Sequence, residues 1–207
     1  MRLHDRPTHR ICGLHAILGL GALLLSSCLS GPAPTDHYYR IQVVPPAPGT
    51  NRALPGTLDV DRLRVEAIAQ GRRMLYRDGS RPGEVVQYNY HHWADPPNVM
   101  IQSLLVDYLR SAGVAERVVT PGVHVDSDYR LTGRLVHFEQ ILGSGDPRVL
   151  VEVEIAIVRK RGDEVLLLET YREEREASGR SVNDAVTAYG AALEAIFGRL
   201  AADIPSA

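Results

Sequence analysis

Few side chains in this sequence are placed to do chemistry, and their spacing argues against most of what they might do. His91 and His92 invite a metal reading, but they are adjacent inside Glu84–Trp93 (EVVQYNYHHW), whose alternation predicts a strand. Neighbours on a strand point to opposite faces, so the two imidazoles do not readily reach one ion. His124 and His137 add no ligand spacing. His137 falls on the apolar face of its predicted strand, where a hydrogen-bonded histidine is the ordinary expectation. Glu152 and Glu154 share a strand face as paired acids would; Arg148 shares it too, which predicts a solvated, charge-balanced surface. There is no glycine-rich phosphate loop and no G-x-S-x-G nucleophile turn. No catalytic residue, cofactor or metal site is assigned, and enzymatic activity is not expected. What remains is aromatic. Tyr88, Tyr90 and His92 are predicted on one side of the strand, with Asn89, His91 and Trp93 on the other. Tyr88, Tyr90, His92 and Trp93 are the candidates for contact with a partner or a lipid; a hydrophobic hinge beneath the following helix is the simpler alternative.

The residue with the most specific chemical context is Cys28. Arg2, Arg6 and Arg10 precede an uncharged, mostly apolar stretch of 15 residues, Ile11 to Leu25. That is short of the roughly 20 residues needed to span a bilayer. Leu25-Ser26-Ser27-Cys28 follows. Basic residues, an apolar segment and small residues before a cysteine, in that order, resemble a bacterial lipobox, in which the thiol is acylated and the preceding peptide bond is cut. Residues 1–27 are therefore expected to be a cleaved signal peptide, 28–36 a lipidated flexible tether (CLSGPAPTD) and 37–204 a single periplasmic domain. Cleavage removes Cys12, so Cys28 is the sole remaining cysteine. Acylated, it forms neither a disulfide nor a redox pair, and the domain must rest on an ordinary core. Leu29 rather than an acidic residue after the cysteine favours the outer over the inner membrane.

The 207 residues are 44% hydrophobic and 23% charged, with a net charge of -2, which suits one globular domain and offers no global attraction for nucleic acid. Strands are predicted at His37–Val44, Leu58–Glu66, Gly71–Gly79 and Glu84–Trp93, with Pro45–Pro55 as a loop. A first helix follows, with Asp95 as N-cap, Pro96 and Pro97 in its first turn, a stripe of Ile101, Leu104, Leu105, Tyr108, Leu109 and Ala112, and Gly113 at its end. Three strands are then predicted: Asp128–Glu139, Arg148–Arg159 with five alternating apolar residues from Val149 to Ile157, and Glu164–Glu173. The last helix opens at Ser181, with Asp184 three residues on in a capping-box pattern. The expected fold class is α+β: a largely antiparallel mixed sheet with two amphipathic helices packed on one face, a two-layer sandwich.

Arg72-Arg73-Met74-Leu75-Tyr76-Arg77-Asp78-Gly79, followed by Tyr90-His91-His92-Trp93-Ala94-Asp95-Pro96-Pro97 and a helix with spaced leucines, resembles the ABC-type transport auxiliary lipoprotein family. The lipobox and proline-rich tether fit the same resemblance. It implies an accessory lipoprotein of a transporter with an ATPase, a permease and an MCE-type substrate-binding protein, moving lipids or other hydrophobic molecules between inner and outer membranes. It supplies no catalytic residues. A lipid ligand and a homo-oligomer are both compatible with that role. Two other classes are distinguishable by experiment: an envelope assembly or cell-wall regulatory lipoprotein, and a periplasmic metal-dependent hydrolase using His91, His92 or nearby carboxylates.

Overall fold

Val149, Val151, Val153, Ile155 and Ile157 alternate along the chain, and all five are buried in the computed structural model. They set the inner face of a long central strand. The structure describes residues 34–49, 53–143 and 145–205; Cys28, the signal segment and most of the tether lie outside them. The strands are β1 (His37–Tyr39), β2 (Leu54–Val60), β3 (Arg73–Asp78), β4 (Val85–Trp93), β5 (Ala115–Val119), β6 (Tyr129–Leu142), β7 (Arg148–Arg159) and β8 (Glu164–Glu176). Helix α1 (Pro97–Ala112) lies between β4 and β5, and α2 (Val182–Asp203) follows β8.

The expected two-layer sandwich on a largely antiparallel sheet is not what forms. The eight strands make one mixed sheet curved into a half-barrel. Four ladders are parallel (β1–β4, β2–β5, β2–β6, β3–β6) and three antiparallel (β3–β4, β6–β7, β7–β8). Hydrophobic alternation reports which face of a strand is buried, but not the direction of its neighbour. Strand β6 organises the sheet. One of its edges is lined by β7 from Tyr129↔Arg159 to Ile141↔Arg148. The other is shared end to end, by β2 at Tyr129–Leu131, an isolated bridge from Arg64 to Arg134, and β3 at Gln140–Leu142. Between Leu135 and His137, β6 advances two residues while β7 advances one. Such a bulge bends a strand and increases its twist, and here it lies where the shared edge passes from β2 to β3.

The bulge also reverses the face reading of the second half of β6. His137 was expected on the apolar face; Phe138 takes the core position instead, 4% exposed. Strand β1 is shorter than expected. After Tyr39 the chain leaves β4 and crosses α2, with Ile41 buried. The crossing is close: a Cβ on Gly190 would lie 2.4 Å from the Gln42 carbonyl oxygen. Strand β2 begins four residues before its expected start. Strand β5, not anticipated from the sequence, is a short parallel partner of β2.

The helices form where their end signals stand. Gly113 closes α1 in the left-handed region at φ 66°, donating its N–H back into the last turn. Pro96, not Asp95, occupies the N-cap, and no side chain caps that end. At α2 the Ser181 hydroxyl accepts from the Asp184 N–H at 3.1 Å, and the Ser181 N–H donates to the Asp184 carboxylate at 3.1 Å. The α2 stripe packs on β7 and β8, and α1 packs on β5 and α2; both helices share one hydrophobic core with the sheet.

Candidate contact surface at the β1–β4 end of the sheet

The aromatic run of β4 is shaped by an irregularity in its pairing. From Arg73 to Leu75, β3 advances two residues, while β4 passes from His92 to Gln87, five; three extra residues are accommodated in β4. The strict alternation expected for Tyr88 to Trp93 therefore fails. Tyr88 and His91, predicted on opposite sides, meet edge to face with ring centroids 5.2 Å apart. Tyr88 also packs on Tyr76 at 4.6 Å and donates its hydroxyl to Gln140 Oε1 at 2.9 Å. Burial pushes the Tyr88 hydroxyl pKa up to about 12, with Tyr76 and Tyr39 adding smaller contributions.

Beyond the bulge the rungs are regular. Parallel pairing of β1 with β4 sets His37 against His91, Tyr38 against His92 and Tyr39 against Trp93. His37 stacks on His91 at 5.5 Å, and the Tyr39 hydroxyl lies 3.0 Å from His91 Nδ1. Burial, then the nearby His37 and His92, hold the His91 pKa below its usual value. Tyr38 stacks on His92 at 5.3 Å, and the Arg72 guanidinium sits 5.3 Å above the Tyr38 ring. His92 Nε2 lies 3.2 Å from the Asp36 carboxylate.

The four residues singled out in the sequence thus have different fates. Trp93 is 1% exposed; it packs against Phe138 at 5.3 Å and Tyr189 at 5.2 Å. Its indole lies in the core, between β6 and α2, and is not a surface group. Tyr88 is half-buried. His92 lies under Tyr38, and Tyr90 is 42% exposed. Tyr38, 55% exposed, and Arg72 complete this surface, and neither was singled out from the sequence. The available signal was the short aromatic strand that directly follows the tether.

A family model described as the ABC-type transport auxiliary lipoprotein component matches residues 39–204. The chain belongs to that family. No curated protein sequence matches it significantly. Among solved structures it is similar to a Xanthomonas campestris protein labelled DUF330, at 22% identity, TM-score 0.68 and coverage of 81% of this chain and 93% of that one. It is also similar to a second structure, that of an uncharacterized protein, at 16% identity, TM-score 0.66 and coverage of 83% of this chain and 99% of that one. At these identities the likeness is one of fold.

In this auxiliary lipoprotein the other sequence candidates are dispersed. His124 adopts a left-handed φ of 54° after a short turn, with Nδ1 2.7 Å from the Gly122 carbonyl oxygen. His137 Nδ1 lies 2.9 Å from Glu139 Oε1, which Arg77 also engages at 2.7 Å. Glu139 is 3% exposed, and its second oxygen accepts the Phe138 N–H at 2.9 Å. This ion-paired knot satisfies a buried carboxylate that no motif in the sequence marks. Glu152 and Glu154 are each claimed by an arginine, Arg172 at 2.7 Å and Arg134 at 3.2 Å. Among the described residues, no group of three or more His, Cys, Asp or Glu side chains is placed to hold a metal ion.

Proposed function

We propose that this auxiliary lipoprotein is anchored through acylated Cys28 and serves an ABC transporter of the MCE type, which moves lipids or other hydrophobic molecules between the two membranes. It acts by holding a partner and performs no reaction itself. The observation that carries this reading is the family match across residues 39–204, which covers nearly all of the folded domain. The lipobox at Cys28 supports the anchor and the envelope location, with the outer membrane favoured by Leu29. Acylation confines the domain to two dimensions and so raises its effective concentration beside a membrane-spanning partner.

The test is purification of the natively acylated chain from its own envelope after crosslinking in cells. An MCE-domain protein and its permease are expected to co-purify, and Cys28→Ala is expected to release the chain from the membrane and abolish their recovery. Recovery of a cell-wall synthase with no MCE protein would replace this reading with the envelope-assembly one.

A further inference from the structure

The rung Tyr38–His92–Arg73 crosses β1, β4 and β3. Residues directly opposed in a sheet share a face. The next residue of each strand, Tyr39, Trp93 and Met74, packs with or within the core, so this rung faces away from it. Tyr38, Arg72 and Arg73 are exposed, and so is Tyr90, two residues before His92 on β4. Among the described residues, neither Arg72 nor Arg73 has a carboxylate within ion-pairing distance. That sets them apart from Arg134, Arg148, Arg159 and Arg172 of β6 to β8, each of which is paired. The acid nearest in sequence to Tyr38, Asp36, is engaged by His92.

Exposed tyrosines with an apolar ring and a polar tip, beside arginines that no carboxylate neutralises among the described residues, match the chemistry of a phospholipid headgroup layer. Tyrosine partitions to that level, and guanidinium forms forked hydrogen bonds with phosphate. The patch also lies where the tether ends. Eight peptide links separate Cys28 from Asp36, a contour of at most about 28 Å. We propose that this face rests on an anionic phospholipid surface, with Tyr38 and Tyr90 at headgroup level and Arg72 and Arg73 at the phosphates. The inference rests on the reading that Cys28 is acylated. The chain's negative net charge does not oppose it, because at physiological salt screening acts over about 8 Å, and the lipid meets the local arginines. Docking in this way fixes which side of the domain faces the membrane and leaves the β7–β8 end pointing away for a partner.

The test uses the acylated full-length product in vesicles, with single nitroxide labels at Tyr38→Cys, at Tyr90→Cys and, as an exposed control at the other end of the sheet, at Leu168→Cys. Accessibility to an aqueous nickel chelate is read for each. On phosphatidylglycerol vesicles the labels at 38 and 90 are expected to be shielded severalfold relative to 168. The shielding is expected to weaken on phosphatidylcholine, in high salt, and in Arg72→Glu and Arg73→Glu, by about fivefold in face-down population for each arginine. Equal accessibility of all three labels, with Cys28 shown by mass spectrometry to be acylated, overturns the proposal and leaves the anchoring reading standing. Shielding that appears only when the MCE protein is added assigns the face to protein and overturns it as well. An unmodified Cys28 removes the anchoring reading and this inference together.

Discussion

The two ends of the sheet are built on different principles. At the β7–β8 end an antiparallel ladder runs without a break from Arg148↔Glu176 to Ile157↔Leu167, and its outer face is a lattice of opposite charges. Arg172 bridges Glu152 and Glu174, and Arg148 reaches Glu174; on the opposite, helix-covered face Arg199 of α2 pairs with Glu173. At the β1–β4 end three parallel rungs hold β1, reinforced by stacked rings and one His–Asp contact. Surface ion pairs contribute little each, so the first end is stable mainly because of its ladder and the five buried residues behind it. The second end has little ladder and, among the described residues, leaves Arg72 and Arg73 without a carboxylate partner. A scaffold and a contact surface have been divided between the two ends, and the division runs through β4, where Trp93 is in the core and His92, its neighbour, faces out.

The sharpest way to break this comparison is at Trp93. Trp93→Ala removes a wholly buried ring that touches Phe138 and Tyr189, and it is expected to cost ~3–5 kcal/mol in chemical denaturation. If the β1–β4 end were decorative throughout, the loss would be far smaller. Tyr38→Ala, one rung away, is expected to stay within about 0.5 kcal/mol of the parent, so the pair of variants measures where the boundary lies. At the scaffold end the matching test is Gly133→Ala. A Cβ there would lie 2.0 Å from the Glu154 carbonyl oxygen, so β6 and β7 would have to part. The expected loss is ~1–3 kcal/mol, as for other overpacked sites. Ser181→Ala is expected to cost less, ~1 kcal/mol in the same assay, from loss of the α2 cap.

Much of the scaffold end was legible in the sequence because its signals are local. Alternation from Val149 to Ile157 needs no knowledge of a partner strand, and the Ser181–Asp184 box and Gly113 act within one helical turn. Whatever depends on pairing was hidden. The β6 bulge moved Phe138 into the core in place of His137, and the β4 bulge brought Tyr88 against His91. Both are properties of two strands in register, not of either alone. Strand β5 (AERVV) is five residues long with two charges, too short to show a period, and its partner β2 lies far back in the chain. Tyr38 was read as part of a longer strand because nothing in HYYRIQVV announces that the chain leaves the sheet to cross α2 at Gly190. The contact surface was half visible: the β4 aromatics were found, while the β1 tyrosine and the β3 arginines that complete them depended on which strands flank β4 and in what register.

The smallest predicted effect concerns how firmly β1 is held, and its sign follows from His91. The ring is pressed between His37, Tyr39 and Tyr88, and burial first, then His37 and His92, depress its pKa below the ordinary value of 6.5. As pH falls below that value the unfolded chain takes up a proton that the folded protein resists. Stability that is fully present above about pH 6.5 is therefore eroded as pH drops towards the depressed value. A gain of stability on acidification would require the opposite shift. Because β1 has only three rungs, the loss should be local rather than global: after correction for intrinsic exchange, which slows as pH falls, the protection factors of His37–Tyr39 should decrease between pH 7.5 and pH 5.5, while those of the β7 amides at Val151–Ile155 should not change. His91→Gln keeps a polar group near the Tyr39 hydroxyl without a titrating ring, and should flatten the response at β1. If β1 and β7 lose protection in parallel, the two ends unfold as one unit, and the division of labour drawn between them is wrong.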